Sequence, residues 1–204
     1  VATGLVEIAG LPVSLPRRIV YYSEHPEQVE MILNVMCHEL GIDLDMVNDM
    51  FKVVDAVRLP PERFAKGAKG LLKLNHPVTK GDITVDVTPL LVVDTVSASL
   101  VSADENDNAG AGAAVNTIKQ TFYRKYNIST LFVHHTPKDN KNGSDGSKMT
   151  LRGAGAFEAD AHQVLFVTVR KGGKRWLDIA GGKVRFTPTH RAIPFQAKVS
   201  TAIA

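Results

Sequence analysis

The run Leu90–Leu91–Val92–Val93 ends abruptly in a carboxylate, Asp94, and is followed by Thr95, Ser97, Ala98 and Ser99. No other stretch constrains the fold as much. Consecutive apolar residues without alternation suit a strand buried on both faces, as in a parallel sheet covered by helices. The acid then lies at the carboxyl end of the strand, where open α/β sheets bind their ligands. An aspartate in that place can orient the water shell of a Mg²⁺ ion that itself holds phosphates. The same pattern also arises where an aspartate merely caps a turn, so the flanking strands must decide.

The 204 residues are 44% hydrophobic and 22% charged, a globular composition with room for one sizeable domain or two small ones. No apolar run approaches the length of a bilayer span and no signal peptide opens the chain, so no membrane partner is expected. Cys37 is the only cysteine. An internal disulfide is therefore impossible, which fits a reducing, cytoplasmic setting. The net charge of +3 permits nucleic-acid binding without demanding it.

Short strands alternate with helices for most of the length. Ile19–Ser23 is rich in β-formers and ends at Glu24; Pro26 suits the first turn of a helix. Val29, Ile32, Leu33, Met36 and Leu40 fall on one helical face, with Gly41 as the stop and Cys37 beside the core. Residues 51–57 form a possible strand, and Pro60–Pro61 opens a helix carrying Lys66, Lys69 and Lys73. Residues 75–88 read as a loop. After the Asp94 strand come a polar loop, Ser102–Asn108, and a helix with an apolar face at Ala111, Val115, Ile118, Phe122 and Tyr126. Ser129–Val133 is a strand ending in His134–His135, and a loop rich in Lys, Asn, Gly and Ser runs from Thr136 to about Thr150. Gln163–Val169 is a strand, and residues 175–180 and 183–186 read as a hairpin around Gly181–Gly182. The tail after Pro188 shows no pattern. Val1–Gly4 reads like a helix end with a glycine stop. The whole predicts an α/β fold: a mainly parallel twisted sheet with helices on both faces and a C-terminal β-hairpin.

Three strands end in a chemically capable residue: Glu24, Asp94 and the pair His134–His135. If the strands are parallel, these residues share one sheet edge. One acid could position a metal while the other accepts a proton from an attacking water, and a histidine could hydrogen-bond a phosphate oxygen. Blander readings compete. Glu24 could favour a helix N-terminus, the histidines could be half-buried strand-end residues or zinc ligands, and the acids of 104–107 could be a solvated loop.

Tyr21–Tyr22–Ser23–Glu24–His25–Pro26, Leu90–Thr95, Asp104–Glu105–Asn106–Asp107, Val133–Lys138, Leu151–Arg152–Gly153–Ala154 and Lys183–Val184–Arg185 together resemble the RecA-like P-loop ATPases, which include AAA-type ATPases. They are most similar to the hexameric replicative helicases of the plasmid RepA type. The resemblance covers nearly the whole chain and implies one RecA-like ATPase core over residues 1–204. It implies that Asp94 is the Walker B acid holding Mg²⁺, with Thr95 and His134 beside the nucleotide. Glu24 would be the catalytic base, His135 the sensor of the γ-phosphate, and Lys183 and Arg185 basic residues reaching a neighbouring subunit's site. ATP and Mg²⁺ are the implied cofactors. A homo-oligomer, a hexameric ring on single-stranded DNA, is the implied assembly. The family's phosphate loop, GxxxxGK[ST], is not found in this sequence. In relatives it precedes a segment like Ala2–Thr3–Gly4. The expectation is therefore a chain truncated after the Walker A strand, loop and helix, and inactive by itself.

The resemblance also assigns residues 102–108 and 138–152 to loops lining a central channel. Only the second is basic, with Lys138, Lys141, Lys148 and Arg152, so these residues are the expected DNA contacts. The implied function is Mg²⁺-dependent ATP hydrolysis driving a replicative DNA helicase. A RecA-like recombination or regulatory ATPase, or a catalytically silent DNA-binding or interaction module, are the alternatives.

Overall fold

The computed structural model describes residues 7–8, 11–12, 16–56, 59–99, 108–135, 161–162, 164–169, 175–179 and 191–195. The chain divides into two compact units. The first comprises 1–103 and 113–134; the second comprises 104–112 and 135–204.

In the first unit, β1 (Glu7–Ile8) and β2 (Leu11–Pro12) pair antiparallel. The central sheet is built from β3 (Ile19–Ser23), β4 (Phe51–Asp55), β7 (Leu90–Asp94) and β8 (Ser129–Phe132), in the order β4-β3-β7-β8. All three pairings are parallel, as the sequence predicts. β7 has a partner on both sides, and its Leu91, Val92 and Val93 are buried. Burying each such side chain contributes about 1.5–3 kcal/mol, which explains the unbroken apolar run.

Successive strand residues point to opposite faces, and β3 shows the division. Tyr22 meets Phe64 of α3 (Pro61–Lys66) edge-on at 5.4 Å, and Phe64 meets Phe122 at 5.6 Å. Tyr21, on the other face, stacks on Phe51 at 5.7 Å. That second face is covered by α1 (Pro26–Leu40) and α2 (Leu44–Met50), which pack on β3 and β4. The chain moves from β3 to β4 in one direction and from β4 to β7 and β8 in the other. Right-handed crossovers then place the connecting helices on opposite faces. Helices cover both faces, as expected.

α1 starts with proline in its first turn and stops at Gly41, whose φ of 63° is the left-handed conformation glycine adopts freely. Its packing corrects the expected face. Cys37 is buried and Val29 and Leu33 are half-buried, whereas Ile32, Met36 and Leu40 are 53%, 51% and 61% exposed. The apolar arc is wider than the sheet it sits on, and periodicity alone did not say which part would be covered. α2 went unread in the sequence. It is capped by Asp43, whose carboxylate accepts from the Asp45 N–H at 2.9 Å.

Residues 76–87 are not a loop but a hairpin, β5 (His76–Lys80) and β6 (Ile83–Val87), turned at Gly81–Asp82. Gly81 has a φ of 61°, which a two-residue hairpin turn exploits. Alternation was hard to see because Ile83 and Val85 are exposed and only Val87 of β6 is buried. The helix after the polar loop is α4 (Asn108–Ile118), which widens into a π-helical segment over Lys119–Lys125. Val115, Ile118 and Phe122 are buried along it, as the spacing predicts. Asn127, at φ 54°, ends the segment.

In the second unit, β9 (Leu165–Val169), β10 (Arg175–Ile179) and β11 (Arg191–Phe195) form an antiparallel sheet in the order β11-β10-β9. A C-terminal hairpin is therefore present, but β10 pairs with β9 and with β11, the latter in the tail where the sequence shows no pattern. Residues 183–186 lie outside the described residues, as do Val1–Gly4, 102–107 and 136–160. Among the described residues no helix is long and apolar enough to cross a membrane.

Candidate active site

The site sits at the carboxyl edge of the parallel sheet and is set by register. Ser23 of β3 lies opposite Asp94 of β7, so both strands end at the same level. The residues just beyond them, Glu24 and Thr95, consequently come together. Thr95 donates its hydroxyl proton to Glu24 Oε1 at 3.1 Å. Tyr21 donates its phenol proton to Asp94 Oδ2 at 2.5 Å. Each strand thus supplies an acid that is held by a hydroxyl of the other.

The environments of the two acids differ. Asp94 is half-buried, Thr95 is buried and Glu24 is exposed. Burial, then the hydrogen bond to Asp94, then the charge of Asp94 raise the Tyr21 pKa well above its ordinary value. The phenol therefore remains a proton donor at neutral pH. Burial raises Tyr22 as well. Glu24 does not cap α1. The residue preceding that helix is His25, which makes no side-chain cap, and the His25 N–H is taken by Ser23 Oγ at 3.1 Å. The Glu24 carboxylate is left facing outward beside Thr95.

β8 brings the next strand end to the same edge. The Val133 N–H donates to the Val93 carbonyl at 2.9 Å, and the Val96 N–H donates to the Val133 carbonyl at 3.1 Å. His134 follows directly and is half-buried. The geometry brings together Glu24, Asp94 and Thr95, with His134 one residue beyond the backbone bonds that tie β8 to β7. His135 is exposed and belongs to the second unit. Lys138, Lys141, Lys148, Arg152, Lys183 and Arg185 lie outside the described residues.

Tyr21 is the site residue that sequence reasoning missed. It read as one more β-former in a strand. The available signal was parity: Tyr21 stands two residues before Ser23, on the face that Asp94 shares once the strands are paired in register. The competing reading of the histidines as zinc ligands finds no support among the described residues, where no group of three or more His, Cys, Asp and Glu could hold a metal. The donors present fit Mg²⁺ instead. A single hard carboxylate beside a hydroxyl suits an ion that keeps several waters and is held chiefly by substrate phosphates.

The parallel sheet in the order β4-β3-β7-β8, covered by helices on both faces, is an α/β fold of the RecA-like kind. The AAA domain family matches residues 1–141, and the chain belongs to that family. It is thereby placed in the ATPase class, whose members in general use ATP and Mg²⁺. The fold is also similar to the crystal structure of the RadB recombinase, with a TM-score of 0.55 and 17% identity over 88% of this chain and 75% of that one. No curated protein matches the chain.

Proposed function

We propose that this chain is the ATP-hydrolysing motor core of a ring-forming replicative DNA helicase of the plasmid RepA type. The observation that supports the catalytic half of this reading is the pair of acids, Glu24 and Asp94, at the ends of adjacent parallel strands, with Thr95, the residue after Asp94, donating to Glu24. Asp94 would hold Mg²⁺ through water, with one carboxylate oxygen engaged by Tyr21. Mg²⁺·ATP, when bound, supplies the phosphorus to be attacked and neutralises charge on its oxygens. Glu24 would align the attacking water and take its proton. Its Oε1 is steadied by Thr95, and its exposed position keeps it within reach of solvent. His134 and Thr95 would border the nucleotide, and His135 would sense the γ-phosphate.

The remaining assignments complete the motor. Lys183 and Arg185 would reach a neighbouring subunit's site in a hexameric ring, where an arginine stabilises charge on the transferred group. Lys138, Lys141, Lys148 and Arg152 would contact single-stranded DNA. The test uses the complete gene product. Mg²⁺-dependent ATP hydrolysis should be stimulated by single-stranded DNA, and Glu24→Gln and Asp94→Asn should each lower turnover by about 100-fold or more. Hydrolysis indifferent to both substitutions would remove the reading.

A second reading has one observation in its favour, the fold likeness to a protein titled a recombinase. On that reading the same site drives a recombination or regulatory ATPase. Unwinding of a forked duplex supports the helicase. Hydrolysis with strand pairing and no unwinding supports the alternative.

A further inference from the structure

We infer that Tyr21 is a positioning residue that fixes the orientation of the Asp94 carboxylate toward a hydrated divalent cation. The inference rests on the reading of Asp94 as the metal-facing acid and adds a residue to it.

The geometry carries the argument. Tyr21 and Asp94 lie on one face of the sheet, Tyr21 two residues short of the strand end and Asp94 at it. That offset is about 7 Å along the strand, a length a tyrosine side chain spans. The phenol oxygen reaches Asp94 Oδ2 at 2.5 Å, the short end of the range for a hydroxyl donating to a carboxylate. The ring cannot follow the carboxylate if it turns. It stacks on Phe51 at 5.7 Å with 26° between the planes, and both residues belong to paired strands. The torsion that turns an aspartate carboxylate is broad and intrinsically ill-defined. Anchoring one oxygen from a rigid ring removes that freedom and leaves the other oxygen to face the ion's water. Thr95 meanwhile engages Glu24, so the two acids are held by separate donors rather than by each other.

The experiment measures metal binding as well as turnover. In the complete gene product with a non-hydrolysable ATP analogue, Mn²⁺ affinity is read by electron paramagnetic resonance for wild type, Tyr21→Phe, Phe51→Leu and Asp94→Asn. Tyr21→Phe keeps the ring and its stacking, so the thermal midpoint should move little. Mn²⁺ affinity should fall roughly 10-fold, the scale for losing a partner that orients a metal ligand. The Mg²⁺ concentration for half-maximal hydrolysis should rise in parallel. Phe51→Leu, which keeps the phenol but loosens the ring, should shift affinity the same way by less. A Tyr21→Phe protein with wild-type metal affinity, beside an Asp94→Asn protein that has lost it, overturns the inference alone. Unchanged affinity in Asp94→Asn overturns the underlying reading and the inference with it. If Tyr21→Phe fails to fold, wild-type metal affinity in Phe51→Leu overturns the inference.

Discussion

Thr95 holds Glu24 with a single hydroxyl, and its own side chain is buried. Thr95→Val preserves shape and removes the donor. Turnover should fall by about 10-fold or more, while Thr95→Ser should keep most of it; steady-state kinetics on the two variants checks this. Tyr21 has a consequence for stability. Its pKa in the folded protein lies above the 10.0 of an unperturbed phenol, with burial the largest cause. The folded state therefore favours the protonated form. That contribution is fully present below pH 10 and is lost as the pH rises from there toward the folded pKa. Urea unfolding at pH 8 and pH 10.5 should show wild type losing stability across the interval, with Tyr21→Phe losing less. At this scale the sequence was legible wherever a residue's type alone announces chemistry. Glu24 and Asp94 stood out as carboxylates ending apolar runs. Tyr21 did not, because its role depends on which residue of another strand lies opposite.

Among the elements, the π-helical segment contributes one buried side chain, Phe122, to the α3 side of the sheet. Phe122 is 2% exposed and touches Phe64, which in turn touches Tyr22. Phe122→Ala should destabilise the protein by about 3–5 kcal/mol, measured by urea unfolding. Gly41→Ala has open space around it but keeps a φ of 63°, so it should cost about 1 kcal/mol from backbone strain alone. These elements differ in how plainly the sequence announced them. β3, β7, β8 and α1 were readable because apolar residues run or recur at a fixed period. The β5–β6 hairpin was not, because Ile83 and Val85 face solvent and Pro77 interrupts its first strand. The exposed side of α1 was misjudged for a different reason. Val29, Leu33 and Cys37 share a helical row next to that of Ile32, Met36 and Leu40, and only packing on β3 and β4 chooses between them.

For the molecule as a whole, the parallel order β4-β3-β7-β8 brings Glu24, Asp94 and His134 to one edge from three separate regions of the chain. That convergence was legible from strand ends alone, since alternating strands and helices leave parallel pairing as the economical solution. The register that makes it a site was not, because nothing local in either strand specifies it. The same topology has a kinetic meaning. β3, α1 and β4 are contiguous and can assemble early, but Thr95 and Glu24 stand 71 residues apart. Closing a loop of that length costs entropy before any contact rewards it, so β7 docks against β3 slowly. In stopped-flow refolding, helical signal should recover well before the part of the near-ultraviolet signal that Tyr21→Phe removes. A newly made chain therefore has its helices in place before its two acids meet at the sheet edge, and that meeting is among the last events of its folding.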